Sequence, residues 1–372
     1  MEIENQKKAP LITVNTTHIS TSKQSFGDKI KNAWKMLRME GAGALWHKIK
    51  RRLYHKSQSL LREIFNKDPG KKLRELSQKN ASEGKNPITL SIVISVLGQH
   101  DMAKLCISKL ISNKMQEIEI VVMDDGGDFE IESGDLPDKP TNLKVVRRTG
   151  EDAGFFPAFQ FWMDNTKGDI MMFIHSDLII DEYGFDVLLR EVFAQNPKIG
   201  LVGFVGSDEM TAEGGRGLGT TSNFGGKTYT YKNKSWKGSP ALFWGRRFDG
   251  LTNAVVIDGC SMAVRRTLWE KIKGHPNHSI IYNYDKLISL QTLEAGYKVA
   301  VLGVLCDHIS NQTASNEKRY HSISQGVCEK NNVPTVTDRT GNINWDMSIH
   351  AEAKRRLLKE WRDEKHFIPR QA

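Results

Sequence analysis

A short apolar run that ends in three polar residues constrains the fold of this chain more than any other feature. Residues 170–174 are all apolar, follow a Gly-Asp pair, and stop at His175, Ser176 and Asp177. A continuous apolar run of this length, bounded by turn and polar residues, predicts a buried strand of a parallel sheet. In an open α/β sheet, ligands bind beyond the carboxyl ends of such strands. We therefore expect a binding site at residues 175–177, where a histidine and a carboxylate could hold a divalent metal.

Predicted strands and helices alternate on both sides of this run. The strands are expected at 90–97, 118–123, 143–146, 200–205, 254–257 and 298–305, and the helices at 101–112, 156–165, 183–194, from 267, and at 284–295. This alternation predicts the α/β class, with a mostly parallel sheet covered by helices on both faces. Residues 206–250, rich in glycine and aromatic residues, are predicted to form a long surface loop that binds a ligand.

The ends of the chain differ from this central part. Residues 1–24 are expected to be a disordered polar tail, and residues 66–89 a polar linker. In residues 25–65 the apolar residues recur at helical spacing on both sides of a glycine break, which predicts two amphipathic helices. The helices are basic, because positions 29 to 56 hold nine Lys or Arg and one acid. With Trp34 and Trp46 on their apolar side, they suit either an anionic membrane surface or packing on the main domain. Residues 311–372 predict a helical C-terminal extension of the domain formed by residues 90–310.

Charge and composition exclude several classes of protein. The formal net charge is +9, and the chain outside residues 25–65 is close to neutral, which argues against a nucleic-acid partner. No apolar run approaches the roughly 20 residues that cross a bilayer, and the first residues lack a secretion-signal pattern. The four widely spaced cysteines predict reduced, mostly buried thiols and a cytoplasmic location.

Five further segments carry a resemblance to a known family, namely 91–97, 121–127, 151–160, 258–266 and 284–299. Their order and spacing resemble glycosyltransferase family 2, whose catalytic domain has a GT-A fold. His175, Ser176 and Asp177 stand at the position of the family's Asp-x-Asp motif. Tyr284 and Asp285 stand at its Glu-Asp or Tyr-Asp motif, and His308 at the metal-binding histidine after the last strand. The likeness covers roughly residues 90–310 and implies that the C-terminal extension lies on the acceptor side.

The resemblance implies a metal-dependent transfer of a sugar from a nucleoside diphosphate, with inversion. Asp177 and His308, with His175 beside them, would hold Mn²⁺ or Mg²⁺, which neutralises the leaving diphosphate. The histidines favour manganese. Asp285 would be the general base that takes the proton of the acceptor hydroxyl. Each assignment has a structural alternative, because a His-x-Asp pair can end a strand and an aspartate can cap a helix.

The residues expected to contact the nucleotide-sugar are Ser95, Asp124, Asp125, Gly154, His175 and Ser176. A carboxylate after the second strand can accept a hydrogen bond from N3 of uracil or thymine, which favours a UDP- or dTDP-sugar. An Asp-Gly turn needs the same residues for its shape alone. The acceptor candidates are Trp236, Trp244 and Cys260. The two tryptophans, with Phe248, form either a stacking platform for a sugar or a small satellite core.

Together these features predict an inverting glycosyltransferase that extends a glycan or lipid-linked acceptor in surface polysaccharide synthesis. It would work in the cytoplasm, peripherally on the membrane. One alternative is a sugar-nucleotide nucleotidyltransferase, but residues 98–101 lack the glycine-rich, basic loop of that class. The other is a non-catalytic scaffold on a GT-A fold at the membrane surface. It stays open because Leu287 and His175 depart from the family pattern.

Overall fold

The computed structural model describes residues 69–85, 88–136, 142–148, 155–217, 221–239, 246–273, 282–309, 318–337, 341–365 and 367. Four predictions lie outside these residues and are not tested by the structure. They concern the tail 1–24, the helices in 25–65, Gly154 and Trp244.

Sixteen strands are found in the described part of the chain. They are β1 (Leu90–Val96), β2 (Glu119–Asp124), β3 (Leu143–Arg147), β4 (Ile170–His175), β5 (Leu178–Ile180), β6 (Ile199–Gly203), β7 (Val205–Ser207), β8 (Thr221–Ser222), β9 (Thr228–Tyr231), β10 (Lys234–Lys237), β11 (Arg246–Arg247), β12 (Gly250–Ala254), β13 (Val256–Ile257), β14 (Ser261–Arg265), β15 (Lys298–Gly303) and β16 (Cys306–His308). Eight of them form the central sheet, in the order β12-β15-β6-β14-β4-β1-β2-β3.

Six strands of this sheet run in one direction, and β12 and β14 run in the opposite direction. The predicted mostly parallel α/β class is therefore confirmed. The carboxyl ends of β1, β2 and β4 meet at one edge of the sheet, where Ser95 pairs in register with His175. The antiparallel strand β14 starts at this same edge, since its Ser261 lies opposite Ile174.

Helices cover both faces of the sheet. They are α1 (Pro69–Ser82), α2 (His100–Asn113), α3 (Phe155–Asp164), α4 (Phe185–Gln195), α5 (Arg266–Ile272), α6 (Tyr284–Glu294), α7 (Lys318–Lys330) and α8 (Trp345–Leu358), which continues into a π-helical turn (Lys359–Glu364). Alternate side chains of β1 point to opposite faces. Ile92 and Ile94 pack in the cluster that includes α2 and α4, whereas Val93 packs in the cluster that includes α3, α5 and α6. Burying each such side chain contributes about 1.5–3 kcal/mol.

The segment 206–250, predicted as one long surface loop, is built largely from short strands. β7, β8, β11 and β13 form a second sheet, and β9 pairs with β10 as a hairpin. Tyr229 and Tyr231 alternate with two threonines on β9 and are buried in the core. The loop prediction is wrong here because each strand spans only two to four residues, too few to give a clear periodic pattern.

Residues 69–82, predicted as part of a polar linker, instead form helix α1. Pro69 is its first residue, where the missing N–H costs nothing. The helix is held by polar contacts more than by an apolar stripe. Arg74 donates to Glu182 at 2.5 Å and to the carbonyl oxygen of Gly303 at 3.1 Å. Only Leu73 adds a partly buried apolar contact to the core, which explains why hydrophobic periodicity does not reveal the helix.

The C-terminal helices α7 and α8 pack on each other around Val327, Ile349 and Ala353, with Tyr282 against the same cluster. The expected helical extension is therefore present in residues 318–364. All four cysteines are free and buried, as predicted. Among the helices of the described residues, none has the length and apolar character needed to cross a membrane.

Candidate active site

Three side chains meet beyond the carboxyl end of β4, two from the end of that strand and one from a distant part of the sequence. His175 is the last residue of β4, and Asp177 lies two residues further on. The antiparallel pairing of β5 with β16 places His308 opposite Leu178, and the N–H of Ile309 donates to the carbonyl oxygen of Asp177 at 3.0 Å. As a result, Nε2 of His308 lies 3.2 Å from Oδ1 of Asp177.

The same carboxylate oxygen lies 3.9 Å from Nδ1 of His175. One ligand atom from each of His175, Asp177 and His308 fits within 4.8 Å of the others. Ligands bound about 2.1 Å from a common ion stand roughly 3–4 Å apart, so the three atoms fit a single divalent cation. Two imidazoles and one carboxylate suit a transition metal better than calcium. The predicted ligand residues are thus brought together and could hold a divalent metal.

Burial and the charges of neighbouring side chains shift the pKa values of His175, Asp177 and His308. Burial alone would raise the pKa of Asp177, but the neighbouring His308 outweighs it and holds the pKa of that carboxyl below its usual range. Burial alone would lower the pKa of His308, but the charge of Asp177 raises it. Burial lowers the pKa of His175. The carboxylate of Asp177 is therefore kept ionised, which a metal ligand requires.

The candidate base lies beside this group, at the start of helix α6. Asp285 accepts a hydrogen bond from the N–H of Gly259 at 3.3 Å and from the N–H of Lys286 at 2.8 Å. Burial and the charge of Asp258 raise its pKa, against the opposing charges of Lys286 and Arg216. A carboxylate with a raised pKa is better suited to accept a proton than one that is firmly ionised.

An ion pair between Arg216 and Asp258 lies next to Asp285 and was not predicted from the sequence. The Arg216 guanidinium donates to Oδ2 of Asp258, whose Oδ1 accepts from the N–H of Cys260 at 2.9 Å. Burial would raise the pKa of Asp258, but the Arg216 charge outweighs it and lowers that pKa below its usual range. Arg216 lies in a glycine-rich segment without periodicity, so only the three-dimensional contact identifies it.

On the nucleotide side, the two neighbouring aspartates have different surroundings. Asp124 is buried and accepts hydrogen bonds from the N–H groups of Gly126, Gly127 and Phe129 at 3.1, 2.7 and 3.1 Å. Its carboxylate therefore shapes the turn, which is the structural alternative considered above. Asp125 instead accepts from Ser95 Oγ at 2.5 Å and from Arg148 Nε at 2.8 Å. Of the two, Asp125 and its partner Ser95 are the better candidates for a nucleotide contact.

Of the three acceptor candidates, Trp236 and Cys260 lie in the part of the chain that the structure describes. The side chain of Cys260 is fully buried, which does not favour a direct contact with an acceptor, and this role stays a prediction. Phe248 is also buried, and Trp236 packs against the main core from β10. These two residues therefore have the core role that the sequence left open. Ser176 is buried in the turn between His175 and Asp177.

Comparison with known proteins identifies the family. Residues 91–270 match the model of glycosyl transferase family 2. The chain contains a glycosyltransferase family 2 domain. The protein is therefore a glycosyltransferase that uses a nucleotide-sugar. The matched range includes β1 to β4, β14 and the residues His175, Asp177 and Asp258, whereas Asp285 and His308 lie beyond it. No curated protein sequence matches this glycosyltransferase significantly.

Several solved glycosyltransferases resemble this one at low identity. A mannosyltransferase from Pyrobaculum calidifontis, solved with GDP-Man and Mn²⁺, is 14% identical, with 84% of this chain and 81% of that chain covered and a TM-score of 0.40. TarS from S. aureus with UDP-GlcNAc is 11% identical, with 74% of each chain covered and a TM-score of 0.39. GalNAc-T7 with UDP, GalNAc and Mn²⁺ is 13% identical, with 65% of this chain and 48% of that chain covered and a TM-score of 0.40.

Proposed function

We propose that this glycosyltransferase transfers a sugar with inversion, using a divalent metal held by His175, Asp177 and His308 and a base supplied by Asp285. The observation that carries the proposal is the convergence of these two groups at one edge of the sheet. His175 Nε2 lies 3.0 Å from the hydroxyl of Tyr284, and Tyr284 directly precedes Asp285. This contact supports an arrangement in which the metal ligands and the base border a common space, as a direct displacement at the sugar carbon requires.

A bound divalent cation would neutralise the charge that develops on the leaving diphosphate. Asp177 provides the negative charge of the ligand set, and Nε2 of His308 lies 3.2 Å from its Oδ1, a separation that suits two ligands of one ion. Two imidazole nitrogens favour Mn²⁺ over Mg²⁺, which prefers oxygen ligands. The proposed donor is a UDP- or dTDP-sugar, because Asp125 beside Ser95 can accept the N3 proton of uracil or thymine.

Asp285 takes the proton of the acceptor hydroxyl while that oxygen attacks the sugar carbon from the face opposite the diphosphate. The bond from the carbon to the diphosphate oxygen breaks as the new glycosidic bond forms, so the configuration inverts. The N–H groups of Gly259 and Lys286 hold the Asp285 carboxylate in position. Its raised pKa makes it a stronger base at neutral pH than an exposed aspartate.

A sugar-transfer and donor-hydrolysis assay with UDP- and dTDP-sugars, with and without Mn²⁺, tests this proposal. We expect Asp177→Asn to lose Mn²⁺ binding and activity together. Asp285→Asn should retain Mn²⁺ and nucleotide binding but lose activity by about 100-fold or more, the usual contribution of a general base. Asp363→Asn, in the exposed π-helical turn, is the matched control. Full activity of Asp177→Asn or Asp285→Asn would disprove the mechanism.

The acceptor is proposed to be a glycan or lipid-linked glycan of a surface polysaccharide, met at the membrane by the basic segment 25–65. The nine basic residues between positions 29 and 56 support this proposal, because they are attracted to anionic lipids. Flotation with anionic liposomes, comparing the full chain with a variant that lacks residues 1–65, tests it. Equal binding of both proteins would exclude a membrane role of this segment.

A further inference from the structure

Two half-buried lysines lie on the helices that surround the candidate base. Lys286 lies on the first turn of α6, directly after Asp285, and Lys354 lies on α8. Both side chains are half-buried, and neither forms an ion pair with a carboxylate of the described residues. Burial lowers the pKa of the Lys286 ammonium, and the charges of Arg216 and Lys354 lower it further against the opposing Asp285. The positive charges of Lys354 and Arg216 therefore lie close enough to repel that of Lys286.

A buried amide donor lies beside Lys286. Asn283 accepts a hydrogen bond from the Lys286 ammonium through Oδ1, at 2.7 Å. The side chain of Asn283 is only 9% exposed, yet its Nδ2 has no hydrogen-bond partner among the described residues. A buried donor without a partner is energetically unfavourable. Among the described residues, the amide N–H of Asn283 therefore stays available to a ligand that binds beside the Lys286 ammonium.

Helix α8 supplies the other wall of this space. Asp346, His350 and Lys354 are spaced four residues apart and so share one face of the helix. The hydroxyl of Tyr282 donates to Asp346, and the rings of Tyr282 and His350 lie 5.4 Å apart. These contacts hold that face of α8 against residues 282–286. The charges of Lys286 and Lys354 lower the pKa of His350, after the effect of its own burial.

The neighbouring acids neutralise the two lysines only in part, because Glu213, which interacts with Lys354, is exposed and also interacts with Arg362. Asp258 is paired with Arg216, and Asp346 accepts from Tyr282. Asp285 is held by backbone N–H groups and is required as the base. Two ammonium groups and one amide donor, converging beside a base, match an oxyanion, which accepts several charge-assisted hydrogen bonds.

We propose that Asn283, Lys286 and Lys354 bind an oxyanion of the acceptor substrate, a phosphate or carboxylate group, next to its reacting hydroxyl. This inference rests on the proposed function, because Asp285 marks the acceptor side. An anion bound there would neutralise the two lysines and satisfy the amide of Asn283. It would also fix the distance from the anionic group of the acceptor to the hydroxyl that attacks the donor. The lysines therefore select an acidic acceptor over a neutral one.

Sulfate and acetate serve as probes of the two oxyanion chemistries. Each is titrated calorimetrically into the full-length protein saturated with Mn²⁺ and UDP, so that the metal and nucleotide positions are filled. We expect the wild type to bind at least one probe at a single site. Lys286→Met combined with Lys354→Met should weaken that binding by about tenfold or more, because two charge-assisted hydrogen bonds are lost. Preference for sulfate indicates a phosphate on the acceptor, and preference for acetate a carboxylate.

Two further variants separate charge from structure. Lys359→Met, on the exposed π-helical turn, should bind the probes as the wild type does. Lys286→Arg, which keeps the charge, should retain most of the affinity. Equal probe affinity in the wild type and the double variant, or no binding to the wild type, would overturn the inference. If UDP and Mn²⁺ do not bind, the proposed function fails, and the same titrations without them still decide whether the oxyanion site exists.

Discussion

The hydroxyl of Tyr284 lies 3.0 Å from Nε2 of His175, across 109 positions of sequence. The Tyr284 ring is fixed from its other side by Phe155, with parallel rings 3.8 Å apart. Nε2 of His175 contacts the tyrosine, and its other ring nitrogen, Nδ1, lies 3.9 Å from Oδ1 of Asp177. One hydrogen bond therefore joins the candidate metal group to the helix that carries the candidate base.

Removing this hydroxyl should weaken metal binding without disturbing the fold. In Tyr284→Phe the stack on Phe155 is kept, but His175 loses the partner that orients its ring. Loss of such an orienting contact typically costs about 10- to 100-fold in metal affinity. Calorimetric titration with Mn²⁺ measures the effect. Tyr297→Phe is the control, because no described residue forms a hydrogen bond with the Tyr297 hydroxyl. Equal Mn²⁺ affinity of Tyr284→Phe and wild type would show that the contact does not orient His175.

A methyl group at position 259 should displace the same tyrosine. A Cβ atom on Gly259 would lie 2.4 Å from the Tyr284 hydroxyl oxygen and 2.6 Å from its ring. We expect Gly259→Ala to retain its fold but to lose most transfer activity, since Tyr284 and the adjoining Asp285 must both move. Gly326→Ala is the matched control, because its Cβ would meet no atom within 4 Å. On helix α7 that change should stabilise the protein by about 0.5–1 kcal/mol. Wild-type activity of Gly259→Ala would contradict the packing described here.

The strands that carry the site could be predicted from local sequence, whereas the contacts between them could not. The apolar run before His175 is a central strand, as its composition indicates, and it ends at the predicted site. The proximity of Asp177 and His308 follows from the pairing of β5 with β16. Each of these strands is three residues long, too short to be detected by periodicity. Their association was inferred from the family resemblance.

The features of the fold and site that could not be predicted from the sequence depend on polar tertiary contacts. Helix α1 is held by the ion pair of Arg74 with Glu182, 108 positions away. Arg216 reaches Asp258 from a glycine-rich segment. Neither contact has a signal in hydrophobic spacing, because polar side chains are placed by the folded geometry around them. The same limit applies to Asp124, whose role in shaping a turn depends on which N–H groups face its carboxylate.

The hydroxyl of Tyr229 supports the strand pair that positions His308. It lies 2.8 Å from Oδ2 of Asp181 and 2.8 Å from Oδ2 of Asp307, and the side chain is buried. Tyr229→Phe removes this hydroxyl, so that the carboxylates of Asp181 and Asp307 face the apolar edge of a phenyl ring. We expect the free energy of unfolding, measured in urea, to fall by about 1–3 kcal/mol. Tyr183→Phe, at a side chain that is 63% exposed, should change it little. If Tyr229→Phe lowers the free energy of unfolding no more than Tyr183→Phe does, the Tyr229 hydroxyl does not support this strand pair.

Asp135 should make the stability of the protein depend on pH below 5. Its carboxylate is 3% exposed and is paired with Lys104 at 2.6 Å and Lys232 at 3.0 Å. Burial would raise its pKa, but hydrogen bonds from Lys104, the N–H of Glu132 and Lys232 lower it to about 2. An unfolded aspartate has a pKa of about 3.9, so the stabilisation is complete above that value and is lost as the pH falls towards 2.

This difference in pKa corresponds to about 2.6 kcal/mol at neutral pH, of which about half is lost by pH 3. We expect the gap in unfolding free energy between wild type and Asp135→Asn, measured in urea at pH 6, 4 and 3, to narrow accordingly. Asp128→Asn is the control, because that carboxylate is 67% exposed and pairs only with His100 among the described residues. A gap that stays constant between pH 6 and pH 3 would mean that the Asp135 carboxylate is not held ionised by the two lysines.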